Sequence, residues 1–181
     1  MSEIAYWGKK VVEAGLCTSF FGNISYRVQD SIFITKTGVM LDEINEKDII
    51  EVSLTKKNSS DKLASSELIV HRMIYEKTIY TNVIHTHSLY STFMDVFQDY
   101  VTFNYSEVLP FLKLVPIVGG KSGSFELAEN VAGALNENPI VIVMGHGVFA
   151  AGKNFKECFV YLTALEHYAK DKYYRELIKN G

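Results

Sequence analysis

The chain has 181 residues, of which 48% are hydrophobic and 22% are charged, a composition typical of a globular protein with its own hydrophobic core. The formal net charge of −3 and the scattered basic residues argue against a nucleic-acid partner. No apolar stretch has the length of a membrane span, and the first residues lack the features of a secretory signal. These observations predict a cytoplasmic protein with no membrane partner.

Segments with helical periodicity alternate with short apolar segments that are typical of strands. In chain order, the first half is predicted to contain a helix at 4–15, strands at 24–28 and 32–35, a helical turn at 45–48, a strand at 49–52 and a helix at 66–77. The second half is predicted to contain a strand at 82–87, a helix at 89–96, a strand at 113–118, a helix at 124–135, strands at 139–144 and 148–151, and a helix at 154–179. No linker or repeat interrupts this order, which favours one domain over residues 1–181.

The connections between the predicted strands indicate the fold class. Several are as short as the turn at 29–31, which joins two strands as a hairpin. A strict β-α-β repeat is absent, and no GxGxxG or Walker sequence occurs, which argues against a Rossmann fold. The sequence therefore predicts a three-layer α/β fold in which a central, mainly antiparallel sheet is flanked by helices.

Two histidines, His85 and His87, lie one residue apart behind an apolar segment. Because residues i and i+2 of a strand point to the same face, both imidazoles leave the predicted strand on one side. A third histidine, His146, lies between Gly145 and Gly147, which allow a sharp turn and a close approach. Three histidine ligands with one open position are typical of a catalytic zinc site. The alternative for His85 and His87 is two half-buried histidines that donate to backbone carbonyls.

Three further titratable residues near predicted helices have both a structural and a chemical interpretation. For His71 and His167, a packed or solvated histidine is the more common state. Glu67 follows Ser65 and Ser66, either of which fits the N-cap of the next helix, so Glu67 would be an acidic first-turn residue favoured by the helix dipole. In the alternative interpretation, Glu67 is a general base held near a metal, where it removes a proton next to a carbonyl group.

Three segments offer hydroxyl and backbone N–H groups to an anion. One precedes a predicted strand, one follows the next strand, and one opens a helix, and their polar residues are Asn23, Thr37, Gly38, Ser65 and Ser66. A helix N-terminus with small polar residues is a natural phosphate site. Each segment by itself is more often a turn or a cap, so an anion site requires that the fold bring the three together.

Five short motifs occur in an order that resembles the class II aldolase/adducin family. They are Phe21-Gly22-Asn23-Ile24-Ser25-Tyr26-Arg27, Thr35-Lys36-Thr37-Gly38, Ser65-Ser66-Glu67, His85-Thr86-His87-Ser88 and Gly145-His146-Gly147, and they span almost the whole chain. Any one motif would be weak, whereas five in the right order with sensible spacing are specific. The resemblance implies the α/β fold of this family and a homotetramer with active sites at the subunit interfaces.

The resemblance also implies roles for individual residues. His85, His87 and His146 match the family's zinc ligands, with one Zn²⁺ per subunit and Mn²⁺ or Co²⁺ as substitutes. Glu67 matches its acid/base carboxylate. Tyr105 matches a tyrosine that reaches a neighbouring subunit's site and protonates the aldehyde oxygen. The positions that match the family's phosphate-binding residues are Asn23, Thr37, Gly38, Ser65 and Ser66.

The activity that the resemblance implies is that of a zinc-dependent aldolase. Such an enzyme reversibly cleaves a ketose 1-phosphate to dihydroxyacetone phosphate and a short aldehyde through a metal-stabilised enediolate. Relatives on the same scaffold are sugar-phosphate dehydratases, 4-epimerases and decarboxylases, which stay open as alternatives. Glu107 is the acid/base candidate of the dehydratase alternative. A non-enzymatic, adducin-like module is disfavoured because the chain keeps Glu67 and the three histidines.

Two departures from the family pattern concern the substrate pocket. Phe20 and Phe21 stand where the aldolases carry small polar residues, and we expect them to shrink or reshape the phosphate pocket. The chain also ends at Gly181, soon after its last predicted helix. We therefore expect it to lack the C-terminal tail that closes over substrate in longer members.

Overall fold

Helices and strands alternate in the computed structural model, which describes residues 2–96 and 100–180. The strands are β1 (Asn23–Val28), β2 (Ser31–Thr35), β3 (Ile49–Ser53), β4 (Asn82–Thr86), β5 (Tyr100–Thr102), β6 (Leu114–Val118), β7 (Ile140–Val143) and β8 (Gly147–Gly152). The helices are α1 (Glu3–Glu13), α2 (Leu68–Lys77), α3 (Leu89–Thr92), α4 (Phe125–Glu137) and α5 (Phe155–Asn180). Short 3-10 segments cover Glu46–Asp48, Ser59–Lys62 and Phe93–Val96. The two ends of the predicted domain, Met1 and Gly181, lie outside the described residues.

The strands of the described residues form one sheet in the order β3-β2-β1-β4-β8-β7-β6-β5. Neighbouring strands are antiparallel, except for the parallel pair β6 and β7. Antiparallel pairing dominates because short turns join β1 to β2 and β7 to β8, and a short turn reverses the chain direction. The predicted α/β fold with a central, mainly antiparallel sheet flanked by helices is confirmed.

Apolar side chains cover both faces at the centre of the sheet. On one face, α1 and α5 pack over a core that contains Ile84 and Leu165. On the other face, α2 and α4 pack over a core that contains Val83 and Val131. Because Val83 and Ile84 are consecutive on β4, they point to opposite faces. The molecule therefore has the three layers that the sequence predicts.

The structure changes several of the predicted boundaries. β4 ends at Thr86, so His87 lies one residue beyond the strand. The prediction that Ser65 or Ser66 caps the next helix is wrong, because α2 begins only at Leu68 and Glu67 occupies its N-cap position. The short edge strand β5 was not predicted, because its three residues are too few to establish a periodic pattern.

The last helix, α5, packs on the core as far as Ala169 and is mostly exposed beyond it. Phe155, Leu162 and Leu165 are buried, whereas Tyr174 is 48% and Ile178 is 81% exposed. In the part of the chain that the structure describes, neither α5 nor any other helix combines the length and the apolar character needed to cross a membrane.

Strand pairing places the polar sequence motifs side by side. β4 lies between β1 and β8, with Asn23 opposite His85 and Thr86 opposite Val148. The turn between β7 and β8 carries His146 and reaches the same end of the sheet. Segments that are distant in sequence therefore meet where β4 ends.

Two glycines in helices provide a test of how α1 packs. A Cβ built on Gly8 would overlap the carbonyl oxygen of Leu41, whereas one on Gly133 of α4 has nothing within 4 Å. Replacing an exposed helical glycine with alanine stabilises a protein by about 1 kcal/mol, and overpacking destabilises it by about 1–3 kcal/mol. In urea unfolding we therefore expect Gly133→Ala to raise the free energy of unfolding and Gly8→Ala to lower it. A stabilising Gly8→Ala would contradict the packing of α1 on Leu41.

Candidate active site

Three histidines converge at one end of the sheet. His85 lies on β4, His87 directly follows that strand, and His146 lies in the turn between β7 and β8. One nitrogen of each ring lies within 4.8 Å of the other two. The ring centroids are 4.9 Å apart in every pair. The structure therefore brings together the three candidate ligands of the sequence.

Two glycines explain how the turn that carries His146 approaches β4. Gly145 has a φ of +60°, a left-handed conformation that residues with a Cβ rarely adopt. A Cβ on Gly147 would overlap the carbonyl oxygen of Thr86 and would lie 3.1 Å from Cε1 of His85. The turn can pack this closely on β4 only because residue 147 has no side chain.

A backbone carbonyl fixes the tautomer of His85. Nδ1 of His85 lies 3.0 Å from the carbonyl oxygen of Val148. Because a carbonyl oxygen only accepts hydrogen bonds, Nδ1 carries the hydrogen, and Nε2 of the neutral ring presents a lone pair. This Nε2 lies 3.1 Å from Nε2 of His87. The second ring nitrogen of a metal-bound histidine is commonly held by a carbonyl in this way.

The donor set fits a zinc ion. Zinc–nitrogen distances of about 2.0–2.1 Å in a tetrahedral site put two bound nitrogens about 3.3 Å apart. The Nε2 atoms of His85 and His87 are separated by 3.1 Å. Nδ1 of His146 is buried and has no hydrogen-bond partner among the described residues, which is costly for a polar atom unless a ligand satisfies it.

Burial keeps two of the candidate ligands, His85 and His87, in the neutral form that a metal requires. It lowers the pKa of His85 well below the ordinary value, and the neighbouring His87 and His146 lower it further. Burial, followed by the charge of His146, lowers the pKa of His87 to about 4. Both imidazoles are therefore neutral at neutral pH and can offer a lone pair to a cation.

Glu67 presents one free carboxylate oxygen beside the histidines. The residue is only 3% exposed, and its side chain makes no capping bond to α2. Ser122 donates a hydrogen bond to Oε1, while Oε2 is buried without a partner among the described residues. A buried oxygen of this kind is available to accept a proton from a bound molecule.

A single pocket of about 240 Å³ joins these groups to the anion-binding candidates. Its lining contains Asn23, Thr37, Gly38, Ser65, Ser66, Glu67, His85, His87 and His146. The three polar segments therefore meet in one place, as an anion site requires. Thr37 links two of them, since its hydroxyl donates to the carbonyl oxygen of Ala64 at 2.9 Å.

Two further polar residues of the pocket were missed from the sequence. Lys36 and Ser122 both line it. Among the lining residues, Lys36 carries a positive charge and Glu67 a negative one. Lys36 belongs to one of the five motifs, so its charge next to Thr37 was a usable signal. Ser122 lies in the loop between β6 and α4, and only the folded chain reveals its bond to Glu67.

Phe20 and Phe21 form an aromatic wall of the pocket. They are 56% and 51% exposed, and both line the pocket. The ring of Phe21 stacks on that of His87, with 5.3 Å between centroids and an interplanar angle of 13°. A substrate therefore meets an apolar surface directly beside one candidate ligand.

Tyr105 and Glu107 lie away from this pocket in the single chain. Tyr105 lines a different cavity, together with Tyr168 and Arg175. Glu107 is exposed and is absent from the lining of the histidine pocket. Neither residue can therefore act on a molecule bound to the histidines of its own chain without a rearrangement.

The two remaining histidines have structural surroundings. His71 is completely buried on α2, where Nε2 lies 2.5 Å from Oδ1 of Asn23 and Nδ1 lies 2.6 Å from Oγ of Ser25. His167 is exposed on α5, with its ring 5.9 Å from that of Tyr105. A packed or a solvated histidine is expected at each position, and His71 is packed whereas His167 is solvated.

Comparison with known proteins relates the chain to one family. The model of the Class II Aldolase and Adducin N-terminal domain matches residues 2–173. The chain is 34% identical over 150 residues to an L-fuculose phosphate aldolase of Methanocaldococcus jannaschii, a match that covers 82% of each chain. It is 33% identical over 171 residues to an L-fuculose phosphate aldolase of Methanococcus maripaludis, covering 94% of this chain and 91% of the relative.

The fold is shared with a solved structure from the same group of enzymes. The crystal structure of L-fuculose-1-phosphate aldolase from Thermus thermophilus matches with a TM-score of 0.92 and 28% sequence identity. The match covers 99% of this chain and 95% of that chain. The sheet order and the helical layers are therefore those of a known aldolase fold.

The buried state of His71 predicts a loss of stability in acid. Burial lowers its pKa from 6.5 to about 3, so the unfolded chain takes up a proton below about pH 6.5 while the folded chain does not. Stability is thus lost as pH falls from 6.5 towards 3, by about 2 kcal/mol at pH 5. Urea unfolding of the metal-free protein at about pH 7.5 and about pH 5 tests this loss. Between these two pH values, the free energy of unfolding should fall by about 2 kcal/mol less in His71→Gln than in the wild type. Equal pH dependence would contradict a neutral, buried His71.

Proposed function

The chain belongs to the class II aldolase and adducin family, and we propose that it is a metal-dependent aldolase that acts on a sugar phosphate. The substrate would be a ketose 1-phosphate similar to L-fuculose 1-phosphate, cleaved reversibly to dihydroxyacetone phosphate and a short aldehyde. One observation carries the proposal: the three histidines, the free oxygen of Glu67 and the polar anion-binding segments line one pocket. The aldolase relatives named above support the same reaction class.

His85, His87 and His146 would hold the cation, with zinc as our first choice and Mn²⁺ or Co²⁺ as substitutes. When bound, the cation acts as a Lewis acid and stabilises negative charge that develops on the oxygens of the substrate. The histidines contribute neutral ligands, because burial lowers the pKa of both His85 and His87. Three protein ligands leave a position open for the substrate.

Glu67 would act as the general base. Its Oε2 has no partner among the described residues, so it can take the proton from the carbon next to the substrate carbonyl. The hydrogen bond from Ser122 to Oε1 would hold the carboxylate and leave Oε2 for the substrate. A fixed orientation lowers the entropy that is lost on reaching the transition state.

The phosphate would bind at the end of the pocket formed by Asn23, Gly38, Ser65 and Ser66. Ser65 accepts a hydrogen bond from the Glu67 N–H at 3.3 Å, so its own hydroxyl hydrogen is available to a ligand. Thr37, whose hydroxyl and N–H both donate to the protein, would hold the loop in place. Lys36 would add a positive charge that favours a dianion.

The aldehyde would be protonated by Tyr105 of a neighbouring subunit in a homotetramer. This assignment comes from the family resemblance, and it requires a neighbouring subunit because Tyr105 lies outside the histidine pocket of its own chain. The dehydratase alternative would use Glu107, which is exposed and likewise lies outside that pocket. The described pocket therefore favours chemistry based on Glu67.

Exchange of substrate hydrogen with solvent tests the role of Glu67. We expect the metal-loaded enzyme to exchange one carbon-bound hydrogen of dihydroxyacetone phosphate in D₂O, as followed by proton NMR. Glu67→Gln should slow this exchange by about 10²–10⁴-fold, the usual contribution of a general base. Glu107→Gln is the matched control, because the same change at an exposed carboxylate should leave exchange within about twofold. Loss of exchange in Glu107→Gln alone would favour dehydratase-like chemistry.

Metal removal tests the role of the histidines. Dialysis against EDTA should abolish aldol cleavage, and added Zn²⁺ should restore it, because the proposed reaction needs a Lewis acid that the side chains do not supply. His146→Ala should retain the fold by circular dichroism but lose bound zinc, measured by elemental analysis after gel filtration. Full activity of a metal-free preparation would overturn the mechanism.

A further inference from the structure

A buried chain of polar side chains runs from α2 to the pocket. Tyr75 and His71 lie one helical turn apart on α2 and share a face, while Ser25 and Asn23 lie two residues apart on β1 and share the facing side. The Tyr75 hydroxyl lies 2.6 Å from Oγ of Ser25, which in turn lies 2.6 Å from Nδ1 of His71. Nε2 of His71 lies 2.5 Å from Oδ1 of Asn23.

The position of Oδ1 of Asn23 next to Nε2 of His71 sets one direction for the hydrogen bonds of this network, because an amide oxygen only accepts. In that direction the Tyr75 hydroxyl donates to Oγ of Ser25. Ser25 then donates to Nδ1 of His71, which leaves the single hydrogen of the neutral ring on Nε2. Nε2 donates to Oδ1 of Asn23. Ser25 and His71, the two middle groups, therefore each accept one hydrogen bond and donate one.

We propose that His71 is a positioning residue that fixes the side-chain amide of Asn23 with its NH₂ group facing the substrate pocket. This inference rests on the phosphate-binding role proposed for Asn23 above. Asn23 lines the pocket and is 6% exposed, so one side of its amide faces the protein and the other faces the ligand. His71 holds the oxygen, and the two N–H donors are left for an anion.

The orientation matters because the two ends of an amide have opposite polarity. The oxygen and nitrogen are nearly equal in size, so packing alone hardly distinguishes them. Rotation by half a turn would present the oxygen, an acceptor, to the phosphoryl oxygens of a sugar phosphate, which in the dianion only accept hydrogen bonds. The bond from His71 prevents that rotation, and it therefore sets the affinity for the anionic part of the substrate.

His71 acts through orientation rather than through charge. Burial lowers its pKa to about 3, so the ring is neutral at neutral pH. Its two ring nitrogens are occupied by Asn23 and Ser25, so it has no free atom for the substrate. Its contribution to binding passes through Asn23.

Nitrogen-15 NMR of the zinc-loaded protein tests the direction of the chain. With ¹⁵N-labelled histidine, and His71→Gln used for assignment, we expect the hydrogen of His71 on Nε2 and none on Nδ1. A hydrogen on Nδ1 would mean that Asn23 donates to His71, with its oxygen facing the pocket, and would overturn the proposal.

Two conservative substitutions separate positioning from simple packing. The amide of glutamine reaches the place of Nε2 and can still donate to Asn23, whereas the shorter asparagine reaches only the place of Nδ1. In calorimetry of the zinc-loaded proteins with inorganic phosphate, we expect His71→Gln to stay within about threefold of wild type. His71→Asn should bind about tenfold more weakly, the equivalent of about 1.4 kcal/mol. Equal affinities of the two variants would overturn the proposal.

Kinetics and a reference variant complete the test. His71→Asn should raise the KM for the sugar phosphate about tenfold while kcat changes little, because the phosphate does not react. Asn23→Ala should weaken phosphate binding at least as much, and adding His71→Asn to it should have little further effect. If Asn23→Ala leaves phosphate binding unchanged, the proposed phosphate site itself is wrong. If Asn23→Ala weakens binding but His71→Asn does not, only the role of His71 is wrong.

Discussion

The register of β4 between β1 and β8 is the constraint on which the site depends. It places Asn23 opposite His85 and Thr86 opposite Val148, so the turn that carries His146 arrives where β4 ends. A shift of one residue would move every side chain of β4 to the other face of the sheet. The contact of Gly147 with the Thr86 carbonyl allows the two backbones to approach closely enough to hold this register. The histidine cluster is therefore a consequence of backbone pairing that two glycines permit.

The same register gives one face of the sheet a polar end. Val83 belongs to the apolar core under α2 and α4, and His85, two residues further, continues on that face. Glu67 lies at the start of α2 and His71 lies within that helix. Both are at the polar end of the sheet. Buried polar groups must normally be hydrogen-bonded, and His71 obeys this rule with both nitrogens. The exceptions among the described residues are Oε2 of Glu67 and Nδ1 of His146, the two atoms for which we propose a ligand.

Local patterns were enough to predict most of the fold and the three histidines. Strand periodicity predicts that His85 and His87 lie on one side, and their rings do lie together although β4 ends one residue before His87. Flanking glycines mark the turn at His146. Contacts made only in the folded chain were not predictable in the same way. Ser122 lies 55 residues from its partner Glu67, and no local pattern connects the two. The start of α2 was also misplaced, because Ser65 has the chemistry of a cap but pairs its N–H with Thr35 on β2.

We propose that three histidines hold a cation and leave one position open for substrate. Anomalous diffraction at the zinc absorption edge, from crystals grown with zinc, tests this claim directly. We expect an anomalous peak bounded by Nε2 of His85, Nε2 of His87 and one ring nitrogen of His146, with no fourth protein ligand. A zinc ion bound elsewhere, or one closed by a fourth side chain at this position, would contradict it.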